Sequence, residues 1–333
     1  MLSGANKWCS GVNGVEILNI LADGEYHSGE EIGAHLGVSR AAVWKQLQKL
    51  EVLDLKIESV KGRGYRLLGG IDLLDGVKIK HALSPEATVA LGQLDIFPLI
   101  DSTNSAAAIA IKEGRGAGYC CFAEQQSAGR GRRGRQWQSP FGRNIYMSQV
   151  WEFQSGASAL EGLSLSVGLA VLRALDGFGV AGLGLKWPND VLHENKKLAG
   201  ILLEMQGDPA GVCQVIVGVG LNVNMSGSDT DGITQPWTDL AQIVGAVDRN
   251  KLAAELISAL SVVFDEFSAG GFAAHKDEWS RHDAFAGRSV KVQLGEAYVE
   301  GVVAGLDRSG GLILSTAEGD RVFSGGEVSL RGA

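Results

Sequence analysis

The spacing of apolar residues changes twice along this chain, and this change constrains the fold more than any other feature. The N-terminal residues repeat at helical spacing, the central residues mix helical and strand-like segments, and short strand-like runs alternate with glycines after Arg288. A chain of 333 residues is long enough for two or three domains. We expect three domains, at residues 1–69, 70–286 and 287–333.

The overall composition excludes several classes of protein. An apolar fraction of 45% is typical of globular proteins, and a formal net charge of −8 argues against bulk packaging of nucleic acid. Glu16 and Asp23 interrupt the first apolar stretch, and no run reaches transmembrane length, so neither a secretory leader nor a membrane association is expected. We expect a cytoplasmic protein. The cysteines form no CxxC or zinc-like pattern and are expected to be buried free thiols: Cys9, Cys120, Cys121 and Cys213.

The first seventy residues have the pattern of a winged helix-turn-helix. Apolar spacing predicts a helix over 13–22, Ser28 can cap a second helix that ends at Gly37, and Ser39 can cap a third. The pattern then changes to two short strands joined by a glycine turn, at 57–60 and 65–68. Two short helices joined by a tight glycine turn and followed by a hairpin predict this DNA-binding fold.

Basic charge is concentrated in the third helix and the hairpin. Residues 39–66 carry seven basic residues against three acidic ones, whereas residues 1–38 carry one against five. Such a distribution on an acidic protein is typical of a winged helix that docks on duplex DNA. The residues expected to face DNA are Ser39, Arg40, Ala41, Trp44, Lys45, Gln48, Lys61 and Arg63. The alternative is a three-helix protein-interaction module whose charges are only solvated.

The rest of the chain predicts a mixed α/β domain followed by a small barrel. Helices are expected at 103–112, 160–177 and 250–267, and strands at 119–124, 144–151, 183–187, 198–205 and 214–223. Five short strands after Arg288 indicate a small β-barrel that resembles an SH3 fold. The polar stretch 225–239 is expected to be a surface loop. The expected fold class is therefore an α/β (α+β) central domain with a mixed sheet, between a winged helix-turn-helix and an SH3-like barrel.

The most unusual segment is the arginine- and glycine-rich stretch 129–135, with the sequence GRGRRGR. It contains a GxGxxG pattern, but residues 136–142 cannot open a helix, so a dinucleotide site is not predicted. Glycines allow close approach of the backbone to a ligand, and guanidinium groups grip phosphate or carboxylate oxygens. Since 125–150 contains five arginines and no acidic residue, we predict a mobile anion-binding loop that lacks an acidic partner. An RGG-type RNA-binding segment is the alternative, although such segments are usually long and repeated.

Two further polar clusters follow strand-like segments. The sequence Lys-Trp-Pro-Asn-Asp at 186–190 places a cation and two side-chain oxygens at a strand end, although a tight turn with an ion pair would give the same pattern. The sequence Asp-Ser-Thr-Asn at 101–104 precedes an alanine-rich helix, where Ser102 or Thr103 can also act as a helix cap. Neither cluster is specific by itself.

Taken in order along the chain, these segments closely resemble the biotin protein ligases. The resemblance covers nearly the whole chain and rests on residues 101–104, 124–128, 129–135, Trp137, 139–142, 186–190 and 197–200. With the Ser-Arg-Ala-Ala-Val sequence at 39–43 and the C-terminal residues 325–331, the chain is similar to the bifunctional bacterial form, which also represses biotin biosynthesis genes. The resemblance implies activation of biotin by ATP and Mg²⁺ to biotinyl-5′-AMP, followed by transfer to a lysine of a biotin carboxyl carrier protein.

The resemblance also implies roles for individual residues. The implied catalytic residues are Lys186, Arg130 and Arg132. The implied biotin-binding residues are Ser102, Thr103, Asn104, Gln126, Gly129, Arg130, Gly131, Arg132 and Lys186. The implied nucleotide-binding residues are Arg132, Arg133, Arg135, Trp137, Asn189 and Asn222, and no residue is assigned to the metal. The implied partners are the carrier protein, operator DNA and a second copy of the chain when biotinyl-AMP is bound.

Two rival functions follow from the same residues. A lipoate ligase is related in fold, but it would lack the arginine–glycine loop in this form and would not need Ser102, Thr103 and Gln126 for a ureido ring. A transcriptional regulator that binds biotin without catalysis is the second rival. The presence of Lys186 and of the loop arginines argues against it.

Overall fold

The structure, a computed structural model, describes residues 14–50, 53, 55–154, 156, 160–208, 211–226, 230–294, 297–324 and 328–332. Three helices and a hairpin come first: α1 (Gly14–Leu21), α2 (Gly29–Leu36), α3 (Arg40–Leu50), β1 (Ile57–Val60) and β2 (Gly64–Leu67). The strands β1 and β2 are antiparallel. The predicted winged helix-turn-helix is confirmed.

Local capping explains where these helices begin and end. The Ser28 hydroxyl accepts a hydrogen bond from the Glu31 backbone N–H at 3.1 Å, and the Glu31 carboxylate accepts one from the Ser28 N–H at 2.8 Å. This capping box satisfies two amide groups that would otherwise be unpaired at the start of α2. Gly37 ends α2 in the left-handed conformation, with φ of 67°. The Ser39 hydroxyl accepts from the Ala42 N–H at 3.3 Å and caps α3 as predicted.

A seven-stranded mixed sheet forms the centre of the molecule. Its strands are β3 (Gln93–Phe97), β4 (Tyr119–Ala123), β5 (Ile145–Phe153), β6 (Leu183–Lys186), β7 (Asp190–His193), β8 (Lys196–Gly207) and β9 (Cys213–Leu221). They lie in the order β3-β4-β5-β9-β8-β7-β6, and only the β3–β4 pair is parallel. All five predicted strands are present. The sequence did not predict β3 or β7, because β3 is short and partly polar and β7 begins inside the predicted turn.

Helices cover both faces of this sheet. They are α4 (Gly76–His81), α5 (Pro85–Ala90), α6 (Thr103–Lys112), α7 (Leu163–Asp176), α8 (Leu240–Val244), α9 (Arg249–Gly270) and α10 (Lys276–Arg281). On one face α7 and α9 form the main core, where the rings of Trp151 and Phe264 lie 4.0 Å apart. On the other face, small alanines of α6 pack against Cys121, Val150 and Ile216. The three predicted central helices are confirmed.

Five antiparallel strands form the C-terminal sheet in the order β13-β12-β11-β10-β14. They are β10 (Ser289–Leu294), β11 (Ala297–Leu306), β12 (Leu312–Thr316), β13 (Gly319–Phe323) and β14 (Val328–Gly332). Val290, Val303 and Leu312 belong to the same buried cluster as α7 and α9, so this sheet packs on the central domain. The Trp187 indole N–H donates to the Gly310 carbonyl at 2.9 Å and joins the two units. Residues 325–327 of the C-terminal motif lie outside the described residues.

The segment that joins the helix-turn-helix to the sheet is held by buried polar contacts. Arg249, at the start of α9, forms a buried ion pair of 2.8 Å with Glu124 and donates a hydrogen bond to the Asp72 carbonyl. The Glu124 carboxylate also accepts from the Leu74 N–H at 2.6 Å. Phe141, which follows the arginine-rich segment, is buried in the core of the helix-turn-helix. The DNA-binding fold therefore packs against Phe141, a short distance along the chain from the arginine-rich segment.

The prediction of buried free thiols is confirmed for the described cysteines. Cys120, Cys121 and Cys213 are buried free thiols, and burial raises the pKa of the Cys121 thiol to about 12. Cys9 lies outside the described residues. Within the described part of the chain, no helix is long and apolar enough to cross a membrane.

Candidate active site

A cavity of about 1100 Å³ lies between the start of α6, strands β8 and β9, and the turn that joins β6 to β7. Nearly all the residues predicted for biotin and nucleotide line it: Ser102, Thr103, Asn104, Gln126, Arg130, Gly131, Arg132, Arg133, Arg135, Trp137, Lys186, Asn189 and Asn222. Gly129 is not among the lining residues. Its carbonyl accepts a hydrogen bond from the Trp137 N–H at 2.9 Å and so holds the two ends of the arginine-rich segment together.

A rigid polar cluster forms one end of the cavity at the start of α6. The Gln126 side-chain carbonyl accepts from the Thr103 N–H at 2.9 Å and from the Thr103 hydroxyl at 3.2 Å. Ser102 stands at the cap position, but its side chain makes no capping bond, because Gln126 takes that role. Ser148 on β5 lies 2.7 Å from the Thr103 hydroxyl and 2.6 Å from the Asn104 side-chain oxygen. Sequence reasoning missed Ser148, whose hydroxyl holds the Asn104 side chain in place through this hydrogen bond.

Glycines on β8 and β9 form the floor of the cavity. Gly218 and Gly220 alternate along β9, and Gly220 pairs with Gly200 of β8. A Cβ atom at Gly218 would lie 2.4 Å from the Asn104 side-chain oxygen, and one at Gly220 would lie 2.6 Å from the indole ring of Trp137. Only glycine allows both side chains to approach the sheet this closely. The Gly-Val-Gly alternation inside a predicted strand was the available indication of this floor.

The arginine-rich segment folds back on itself beside this floor. The Gly131 N–H donates to the Arg135 carbonyl at 2.7 Å, and Arg133 takes a left-handed conformation with φ of 58°. Arg130 forms an ion pair of 3.1 Å with Glu204 of β8. The expectation that this segment lacks an acidic partner is therefore wrong, because the sheet brings Glu204 close although it is distant in sequence.

Arg132 lies deeper in the site than Arg130. Its guanidinium donates to the Asn189 side-chain oxygen at 3.3 Å. Burial lowers the pKa of Arg132, and the positive charge of Arg133 acts in the same direction. An arginine remains protonated at neutral pH even so. A partly dry site with clustered cations favours an anionic ligand.

The β6–β7 hairpin and the start of β8 place two lysines at the cavity. Lys186 ends β6, with its ammonium 5.7 Å from the centre of the Phe285 ring. Lys197 forms an ion pair of 2.7 Å with Asp190, and both side chains are largely buried. The Lys197 ammonium also lies 5.3 Å from the Trp137 ring. The family resemblance includes Lys197 in the segment 197–200 but implies no role for it.

Residues after β9 form one wall of the cavity. The residues from Gly232 to Trp237 line the cavity. Met225 and Asp239 are buried, and the Asp239 carboxylate accepts from the Met225 N–H at 2.8 Å. The Asn222 amide donates to the Thr238 carbonyl at 3.0 Å and holds this wall in place. The surface-loop expectation for 225–239 agrees with the exposed residues in its middle, such as Asp231 and Thr234, but not with its two buried ends.

The predicted DNA-facing residues lie on exposed surfaces of the helix-turn-helix. On α3 the buried side contains Val43, Leu47 and Leu50, and the opposite side exposes Arg40, Ala41, Trp44, Lys45 and Gln48. Lys61 and Arg63 are exposed at the hairpin turn. Part of the basic charge is already paired within the fold, since the Arg66 guanidinium lies 2.6 Å from the Glu58 carboxylate. The Arg63 guanidinium stacks on the Tyr26 ring, 4.0 Å from its centre.

Three family models match this chain, one for each part of the fold. The HTH domain matches residues 16–66, the biotin/lipoate A/B protein ligase family matches 96–222, and the biotin protein ligase C-terminal domain matches 285–331. The fold and the cavity therefore define a class of protein in which a biotin ligase is joined to a helix-turn-helix.

Relatives narrow this class. The bifunctional ligase/repressor BirA of Salmonella typhimurium is 39% identical over 317 residues, which cover 95% of this chain and 97% of the relative. The protein of the same name from Bacillus subtilis is 30% identical over 312 residues, or 93% and 95% of the two chains. The biotin protein ligase of Aquifex aeolicus, solved in complex with biotin and ATP, is 32% identical with a TM-score of 0.64, and covers 73% of this chain and 100% of that one. The chain belongs to the family of bifunctional biotin ligase/repressors.

Proposed function

We propose that this chain activates biotin with ATP and transfers it to a lysine of a biotin carboxyl carrier protein. The supporting observation is the division of one cavity into a neutral hydrogen-bonding end and a cationic end. The cluster of Ser102, Thr103, Asn104 and Gln126 offers donors and acceptors that suit an uncharged ureido ring. The arginines and lysines at the other end suit a carboxylate and phosphates.

The first step joins biotin to the nucleotide. A biotin carboxylate oxygen attacks the α-phosphorus of ATP, the bond to the bridging oxygen breaks, and pyrophosphate leaves with its electrons. Lys186, Arg130 and Arg132 stabilise the negative charge on the carboxylate and the α-phosphate, and the buried Lys197 assists them. Reactions of this type are catalysed mainly by positioning and electrostatic stabilisation.

The remaining nucleotide contacts follow from the lining of the cavity. Trp137 offers an aromatic surface to the adenine, and Asn189 and Asn222 place the nucleotide. Arg133 and Arg135 contact the phosphates, and the segment 129–135 closes over the bound adenylate. Among the described residues no three His, Cys, Asp or Glu side chains converge as a metal site. Mg²⁺ enters the site with ATP as part of the substrate.

The second step transfers biotin to the carrier. The neutral amine of the carrier lysine attacks the acyl carbon of biotinyl-AMP, the bond to the phosphate oxygen breaks, and AMP leaves. The nitrogen loses a proton and an amide remains. The arginine-rich segment 129–135 beside the cavity is partly exposed, which leaves room for the carrier protein to approach.

We also propose that biotinyl-AMP acts as corepressor, so that one product controls both activities. The exposed basic faces of α3 and the hairpin bind operator DNA, and tight specific binding by a single winged helix requires a dimer on two half-sites. Phe141, buried in the helix-turn-helix core, links the DNA-binding fold to the chain just after the arginine-rich segment.

We assign the three domains to 1–69, 70–286 and 287–333. Since the reaction needs ATP and a carrier protein, and the repressor role needs DNA, we place the protein in the cytoplasm.

Mass spectrometry of a carrier domain tests the ligase activity. The protein, Mg-ATP and biotin should add the mass of biotin, less one water, to the carrier, and the gain should vanish when ATP is omitted or the carrier lysine is replaced by arginine. A parallel reaction with lipoate distinguishes the rival ligase. Modification with lipoate alone, or no modification while biotin is bound, would overturn the proposed function.

A further inference from the structure

Glu204 on β8 joins the two ends of the site through one carboxylate oxygen. Its Oε2 accepts from the Arg130 guanidinium at 3.1 Å and from the Asn104 side-chain amide at 3.0 Å. Arg130 belongs to the arginine-rich segment, whereas Asn104 belongs to the polar cluster at the start of α6. A negative charge therefore lies between Arg130, which the proposed function gives to a carboxylate or phosphate, and Asn104, which it gives to the ureido ring.

The two contacts of Glu204 differ in rigidity. Asn104 is buried, and its side-chain oxygen lies 2.6 Å from the Ser148 hydroxyl, so this neighbour holds the carboxylate in one place. The ion pair with Arg130 is more exposed, with 44% of the arginine side chain and 37% of the glutamate side chain open to solvent. Exposed ion pairs are weak, and Arg130 can leave such a pair when a better anion arrives.

A ligand carboxylate or phosphate competes directly for the same guanidinium. Biotin binding at the neutral end brings its carboxylate toward the cationic end, where Arg130 and Arg132 line the cavity. When Arg130 turns to the ligand, Glu204 loses its cation and remains as a negative charge beside an anion. Both effects act against retention of the ligand.

We propose that Glu204 is the counter-ion of Arg130 in the ligand-free site and acts as a positioning residue that weakens binding of biotinyl-AMP and speeds its release. This inference rests on the proposed ligase function. It gives the chain a built-in limit on how long biotinyl-AMP stays bound, and so on how long a corepressor persists.

The variant Glu204→Gln tests this role because it keeps a side-chain oxygen for Asn104 and removes only the charge. We expect biotinyl-AMP, formed in the site from biotin and Mg-ATP, to dissociate about 2- to 5-fold more slowly, and biotin to bind more tightly by a similar factor. Stopped-flow tryptophan fluorescence follows the release, and isothermal titration measures biotin binding. Glu152→Gln is the matched control, because the Glu152 carboxylate accepts hydrogen bonds from the side chains of Gln154 and Gln214 instead of from Asn104 and Arg130. It should leave both values unchanged.

A double-mutant cycle with Arg130→Ala shows whether Glu204 acts through Arg130. In the Arg130→Ala background, Glu204→Gln should slow release by a smaller factor, because only the direct repulsion between the Glu204 charge and the ligand remains. Faster or unchanged release in Glu204→Gln alone would overturn the inference, as would an equal effect with and without Arg130. If the wild-type protein makes no biotinyl-AMP, the proposed function fails instead, so the two failures are distinguishable.

Discussion

Adding a single methyl group at Gly218 or Gly220 should damage two different functions of the same cavity. The Cβ of Gly218→Ala would lie 2.4 Å from the Asn104 side-chain oxygen and 3.1 Å from the Leu202 carbonyl. The Cβ of Gly220→Ala would lie 2.6 to 2.8 Å from three atoms of the Trp137 indole. Neither glycine has a positive φ, so alanine is allowed by the backbone and the effect is steric.

The size of the effect follows from the distance that each neighbour must move. Ordinary contacts begin at 3.4 Å, so Asn104 must shift by about 1 Å, and the Leu202 backbone prevents the new methyl group from retreating. A misplacement of about 1 Å in a positioning group can reduce the rate about 10²-fold. Gly218→Ala should therefore reduce biotinyl-AMP formation about 100-fold, mainly through biotin binding. Overpacking of this kind also lowers the free energy of unfolding by about 1–3 kcal/mol.

Gly220→Ala should have a different kinetic effect. Trp137 is partly exposed and can turn away from the sheet, so its aromatic surface is lost to the nucleotide. We expect the KM for ATP to rise while the Kd for biotin changes little.

Steady-state pyrophosphate release at varied biotin and ATP concentrations, with thermal melting of each variant, separates these effects. Gly177→Ala is the control, since Gly177 has φ of −65° and open space around its Cα. Equal effects of the two variants on biotin and ATP, or wild-type biotin binding by Gly218→Ala, would refute this assignment of the floor.

Three further predictions concern other parts of the molecule. Lys186→Ala should slow single-turnover pyrophosphate release about 10²- to 10³-fold with little change in biotin affinity, and an unchanged rate would reduce the lysine to a turn residue. Glu124→Leu leaves Arg249 buried without its carboxylate and should lower the free energy of unfolding, measured in denaturant, by about 3–5 kcal/mol; a loss under about 1 kcal/mol would contradict this. Arg40→Ala and Lys45→Ala should each weaken operator binding and reduce its salt dependence by about one phosphate contact. Carrier biotinylation by these two variants should stay at the wild-type level, and a parallel loss would show that the helix-turn-helix supports catalysis.

Local patterns predicted much of this fold because local interactions decide it. The helix caps at Ser28 and Ser39 depend on residues three apart in sequence, and both predictions are confirmed. The missed strand β7 begins at Asp190, inside a sequence that favours a turn. There the pairing with β6 and β8, which no local pattern records, outweighs the turn propensity.

The candidate site divides in the same way. Residues within short motifs, such as Thr103 and Arg130, were predicted from the sequence, and they line the cavity. Ser148, Glu204 and Gly218 were missed, because they lie in three different strands and reach the site only through sheet register. Their roles depend on which strand lies beside which, and a single sequence does not determine that order.

A burst of pyrophosphate without any carrier protein is the most direct test of a cavity that makes and retains biotinyl-AMP. When the protein is mixed with excess biotin and Mg-ATP, we predict a rapid release of about one pyrophosphate per active site, followed by slow turnover limited by loss of the adenylate. Subsequent addition of carrier should convert the retained adenylate to biotinylated carrier and AMP. Absence of pyrophosphate while biotin is bound, or continuous release with no burst, would contradict this account of the cavity.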